Sequence, residues 1–93
     1  MNFDRILRQF DGSELLFCKA VTRQYQINGY EVSMYPTNDD RHFEVDCDAD
    51  TFFDFLIHFE EYVQIAAVKH HELLLKQYRR IHNPVYEDEL QQS

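Results

Sequence analysis

Tyr25-Gln26-Ile27-Asn28-Gly29-Tyr30-Glu31-Val32-Ser33-Met34 places two apolar-rich runs on either side of an Asn-Gly pair. Asn-Gly accepts the positive φ angles of a type I′ turn, whose twist suits a two-residue hairpin. Read so, Ile27 faces Tyr30, Tyr25 faces Val32 and Arg23 faces Met34. Tyr25, Ile27, Tyr30, Val32 and Met34 then share one sheet face, with Glu31, Ser33 and Tyr35 on the other. The β-branched and aromatic residues from Glu14 to Ile27 make that stretch the first strand.

On the C-terminal side, Pro36 to Arg41 reads as a polar turn and Arg41 to Asp48 as a third strand. Phe43, Val45, Cys47 and Ala49 point one way; His42, Glu44, Asp46 and Asp48 point the other. The expectation is an antiparallel meander of three strands, apolar on one face and acidic on the other, as suits a sheet buried on one side. On the N-terminal side, Phe3, Ile6, Leu7 and Phe10 form the stripe of a short amphipathic helix over residues 2–10. Asp11-Gly12-Ser13 ends that helix, with Gly12 as its C-terminal cap.

A long helix follows the meander. Thr51 with Asp54 three residues on resembles a capping box, Asp50 being the alternative cap, and no Gly or Pro interrupts 52–82 before Asn83-Pro84. That helix would run about 46 Å, against roughly 25 Å for a domain of this size. It therefore either projects or kinks near Lys69-His70-His71. The fold expected is α+β: a short N-terminal helix, a three-stranded antiparallel meander and a long C-terminal helix. Residues 1–84 form one domain, and 85–93 are a short acidic tail.

The charge is unevenly placed. Asp39, Asp40, Glu44, Asp46, Asp48, Asp50, Asp54, Glu60 and Glu61 stand against Arg41 alone between Thr37 and Glu61, so this segment holds the whole formal charge of −8. A surface of that sign repels phosphates, which argues against direct nucleic-acid binding. It suits capture of a cationic protein patch. The longest apolar runs fall short of a membrane span, and the opening MNFDRILRQF lacks the pattern of a signal peptide. The two cysteines, Cys18 and Cys47, lie in no zinc spacing and read as buried reduced thiols, consistent with a cytoplasmic protein.

Chemistry-bearing motifs are incomplete. Asp46-Cys47-Asp48-Ala49-Asp50 opens like a calcium loop but has Thr51 and Ile57 where Gly and Glu are needed. His71-Glu72 begins a zinc motif whose second His is replaced by Leu75. Asp54, His58 and Glu61 share a helical face, where an ion pair is the simpler reading. With no nucleophile elbow and no Gly-rich phosphate loop, neither an enzyme, a metal nor a cofactor is expected.

What remains is the acidic row. Alternate residues of a strand stand about 6.6–6.8 Å apart on one face, so Glu44, Asp46 and Asp48 present charge at regular intervals, extended by Asp50. Glu31 and Tyr35 flank the row on the neighbouring strand, and Asp39 and Asp40 precede it. Such a row mimics the phosphates of a nucleic-acid strand and fits the basic groove of a nucleic-acid-binding protein. The alternative is a homodimeric adaptor joined through the Phe-rich long helix, with Phe52, Phe55, Leu56, Phe59, Tyr62 and Val63 as the contact. Lys69, Lys76, Arg79 and Arg80 with His70 and His71 form a basic patch further along, either solvated or set against the acidic strand of another copy.

Helix, three-stranded meander and helix in a short acidic chain resembles the small phage-encoded anti-CRISPR proteins that block Cas9 by mimicking DNA. The opening Met1-Asn2 with Asp4, Ile6, Leu7 and Arg8, and the late stretch Tyr86-Glu87-Asp88-Glu89, share that character. The resemblance implies a Cas9-like nuclease or restriction enzyme as partner, its DNA-binding groove filled by the acids of the third strand and preceding turn. It implies the cytoplasm of a phage-infected or prophage-bearing bacterium as the setting. The cationic late helix departs from a wholly acidic mimic.

Overall fold

Asn28-Gly29 ends a helix instead of turning a hairpin. The computed structural model describes residues 2–39 and 42–82, with side chains through Arg79. Its elements are α1 (Phe3–Arg8), α2 (Glu14–Ile27), β1 (Ser33–Pro36), β2 (Phe43–Asp46) and α3 (Ala49–His82). The Tyr30 amide donates to the Tyr25 carbonyl (3.1 Å) and the Gly29 amide to the Gln26 carbonyl (3.0 Å). Gly29 has φ +87°, and the Tyr30 ring meets Tyr25 edge-on with centroids 6.1 Å apart. Paired 6→1 and 5→2 bonds, a left-handed residue and a closing apolar contact make a Schellman motif. A type I′ turn needs positive φ at both central residues, and Asn28 sits at −89°.

The expected first strand is thus corrected to a helix, and the three-stranded meander to a two-stranded ribbon. The Ser13 hydroxyl caps α2 by accepting from the Leu16 amide (3.1 Å). Phe17, Cys18, Val21, Gln24 and Tyr25 are its buried residues, a spacing with the helical period and not the strand period of two. In a strand of alternating faces, Lys19 and Arg23 would share the Val21 and Tyr25 side; in the helix they leave it. α1 closes in the same manner. The Gly12 amide bonds the Leu7 carbonyl (2.7 Å), and Asp11, at φ +60°, takes the left-handed position expected of Gly12.

β1 and β2 pair antiparallel with Ser33 opposite Asp46, Met34 opposite Val45, Tyr35 opposite Glu44 and Pro36 opposite Phe43. Met34 is buried, while Phe43 and Val45 pack against the core. Two hydrogen bonds link β1 to α2: the Met34 amide donates to Thr22 Oγ1 (2.9 Å), and that hydroxyl reaches the Met34 carbonyl (3.4 Å). They occupy strand groups that a third strand would otherwise have satisfied.

α3 runs unbroken through 34 residues, about 51 Å, and matches the 52 Å long axis of the molecule. No kink occurs near Lys69-His70-His71. Its cap is neither Thr51 nor Asp50 but Asp48, whose Oδ1 accepts from the Thr51 amide (2.7 Å). Phe55, Tyr62, Val63, Ala66 and Ala67 turn inward to meet Phe10, Phe17, Val21, Tyr25 and Val32. Tyr25 lies at the junction. It stacks on Phe55 (4.8 Å), meets Tyr62 edge-on (4.7 Å), and donates its hydroxyl to the Phe55 carbonyl.

Among the described residues no helix is long and apolar enough to cross a membrane. The domain boundary at 84, the tail 85–93 and the side chain of Arg80 lie outside the described residues.

Candidate functional site

Alternation in Phe43-Glu44-Val45-Asp46 decides which side chains the ribbon shows to solvent. Phe43 and Val45 are half-buried, Glu44 and Asp46 exposed. Their neighbours on β1 follow the same parity, so Tyr35 stands outward beside Glu44 and Ser33 beside Asp46. The Tyr35 hydroxyl is raised above its ordinary value by partial desolvation, then by the charge of Asp46 and a hydrogen bond to it, and by the charge of Glu44. At neutral pH it is a neutral donor set between two carboxylates.

The turn before β2 is held by Thr37. Its hydroxyl has the carbonyls of Asp39 (3.2 Å) and His42 (3.0 Å) within reach of its single proton and accepts from the Asp39 amide (3.2 Å). This ties Thr37 to the backbone of Asp39 and His42 while leaving the Asp39 side chain exposed. Asp40 lies outside the described residues. At the other end the chain bends at Cys47, so the strand stops at Asp46 and the regular row ends there. Asp48 is engaged as the α3 cap, and hydrogen bonds from Thr51 hold its carboxyl below the usual range. Asp50 is exposed in the first turn of α3, where a negative charge complements the helix dipole. Those two acids serve the start of α3, whereas Glu44 and Asp46 serve no helix end and Asp46 is met by the Tyr35 hydroxyl.

Glu31, Asp46 and Asp48 converge on a shallow open groove of about 660 Å³, floored by Gly29, Val32 and Ser33. Of the sequence candidates, the structure therefore brings together Tyr35, Glu44 and Asp46 on the ribbon, with Glu31 and Asp48 at its base and Asp39 at its tip. No ion pair is formed by Glu31, Asp39, Glu44 or Asp46 with a described residue. The described residues hold no group of three or more His, Cys, Asp and Glu arranged for a metal. Cys18 is fully buried and its thiol is pushed up to about 11, by burial first and Glu14 second; such a thiol is a poor nucleophile.

The Phe-rich contact divides differently. Phe55, Tyr62 and Val63 are buried in the chain's own core, and Phe59 packs against it, so these four face inward. Phe52 and Leu56 remain exposed, and Phe53 and Ile57 beside them are more exposed, at 65% and 73%. A second feature escaped the sequence because α2 was read as a strand. Lys19, Arg23, Lys69 and Lys76 line a cleft of about 450 Å³ between α2 and α3, over Ala20, Ala66 and Leu73. Lys19 and Arg23 are i, i+4, one helical face, which a helical reading would have exposed. Inside the cleft Lys69 donates to the buried Gln24 (2.9 Å).

Comparison with family models, with curated proteins and with solved structures finds no match to this chain.

Proposed function

We propose that the chain is a non-enzymatic inhibitor whose acidic ribbon enters the basic, nucleic-acid-binding groove of another protein, in the manner of a DNA mimic. One observation carries the reading. Glu44 and Asp46 stand side by side on the outward face of the ribbon, beside Tyr35, with no described cation to neutralise them. Like charges on one face cost stability, and unlike Asp48 these two cap nothing in their own fold. Charge opposed by a basic groove would speed association and make affinity fall with salt. A Cas9-like nuclease or a restriction enzyme is the partner class, through an anti-CRISPR or anti-restriction action in an infected or prophage-bearing bacterial cytoplasm.

The test is displacement of a labelled target duplex from guide-loaded Cas9-type nucleases and from restriction enzymes, at two salt concentrations. Stoichiometric displacement that weakens with salt is expected. Glu44→Lys with Asp46→Lys should reduce it by at least about tenfold, one lost charge-assisted contact being of that order. Asp48 is left intact, because its loss would disturb α3. Full inhibition by the double variant, or none by the native chain across both enzyme classes, would refute the proposal.

A further inference from the structure

The face of α3 opposite the core carries a row of large apolar side chains. Phe53, Leu56, Ile57, Val68 and Leu75 are exposed by 65%, 55%, 73%, 58% and 44%. They alternate with Glu60, Glu61, Gln64 and His71, all exposed, at the spacing of one helical stripe. Large apolar side chains exposed in two groups along one helical face of a small domain mark a contact surface. Beyond His70 the helix also leaves its own domain: from His71 to Arg79 every side chain is exposed except half-buried Leu74. A helical segment of that length is marginal without tertiary support.

Charge identifies the partner. In the first half of α3, Asp50, Asp54, Glu60 and Glu61 are unopposed by any Lys or Arg. In the second half, Lys69, Lys76 and Arg79 outnumber Glu72; Lys69 and Lys76 lie on the side of α3 that lines the cleft with α2, so Arg79 is the cation carried by the outward stripe itself. Two copies laid parallel would set acid on acid and base on base. Laid antiparallel about a two-fold axis near Ala66, the acidic half of each meets the basic half of the other. Ile57 then faces Leu75, Gln64 faces Val68, Glu61 meets His71, and Arg79 reaches Asp54 while passing over Phe53. Each pair occurs twice, as a two-fold interface requires.

We propose that the protein is a homodimer formed by antiparallel pairing of the outward faces of α3, each projecting C-terminal half lying on the acidic first half of the other helix. The interface is separate from the acidic ribbon, so its failure would leave the inhibitor reading untouched.

Sedimentation of the full chain tests the pairing, and cysteine crosslinking tests its direction. The native protein should sediment at twice the 11.3 kDa chain mass. Ile57→Lys and Leu75→Lys, both at exposed positions, should keep native helicity and weaken self-association at least about tenfold. Glu44→Lys with Asp46→Lys should leave it unchanged. On oxidation, Ile57→Cys mixed with Leu75→Cys should give the mixed disulfide in preference to Ile57–Ile57 homodimers. A native monomer at about 1 mM, a dimer insensitive to both lysine variants, one abolished by the ribbon variant, or a dominant Ile57→Cys homodisulfide would each overturn the proposal.

Discussion

Replacing Gly29 by Ala isolates the backbone conformation on which the chain path depends. Gly29 sits at φ +87°, and a Cβ built there meets no atom within 4 Å. The cost is therefore conformational and not a clash: an L-residue in the left-handed region costs roughly 1–2 kcal/mol. For a domain of this size each kcal/mol moves Tm by about 4–8 °C, so Gly29→Ala should lower Tm by about 4–16 °C in thermal unfolding followed by circular dichroism. Gly29→Asn should fall less, since Asn tolerates that region better. Were φ negative at this position, Ala would instead stabilise by about 0.4–1 kcal/mol through the unfolded chain. The sign of the shift decides whether φ is positive here, a feature that a type I′ turn would share. Amide hydrogen exchange supplies the second readout, because a Schellman cap on α2 protects the amides of Gly29 and Tyr30 together with a continuous run up to Ile27. An unchanged or raised Tm, or protection alternating along 14–27, would refute the assignment.

Two further substitutions probe the core and the start of α3. Tyr25→Phe keeps the fully buried ring and removes only its hydrogen bond to the Phe55 carbonyl; it should cost about 1 kcal/mol. Tyr25→Ala also empties the contacts with Phe55 and Tyr62 and should cost about 3–5 kcal/mol, measured by urea unfolding. Asp48→Ala should lower Tm at neutral pH by removing the α3 cap. Hydrogen bonds from Thr51 lower the folded-state pKa of Asp48 below its ordinary 3.8, so its contribution is complete above that value and fades as pH falls through the lowered one. The difference in Tm between native and Asp48→Ala protein should accordingly shrink below about pH 4.

Much of the architecture was legible because its signals are local. The uninterrupted run 52–82 and the stripe Phe3, Ile6, Leu7 and Phe10 each specify a helix, and Phe43-Glu44-Val45-Asp46 specifies a strand with its acids outward. Gly29 was recognised as a residue needing positive φ, but that requirement is shared by a type I′ turn and a helix C-cap. The two differ in the conformation of Asn28 and in what precedes it. Residues 14–27 were ambiguous, with Leu15, Phe17, Val21, Tyr25 and Ile27 falling on one strand face and Phe17, Cys18, Val21 and Tyr25 on one helical face. Ser13, a good N-cap three residues before the Leu16 amide it binds, was the local clue that favoured the helix. At the acidic site, Glu44, Asp46 and Tyr35 were found from alternation. Asp48 looked like one more member of the row because nothing local announced that the strand ends at Asp46 and that α3 takes this carboxylate as its cap.

By itself the sequence determined where the charge lies, which face of β2 is acidic, and that a long helix closes the domain, because each follows from the order of neighbouring residues. Tertiary structure decided that α2 is a helix, since only packing against β1 and α3 selects which of two periodicities is buried. It also decided which rings of the Phe-rich helix belong to the core. Phe55, Tyr62 and Val63 belong to the same buried cluster as Tyr25 and Phe17, whereas Phe53 and Ile57, as apolar as they are, face away from the core formed by the described residues.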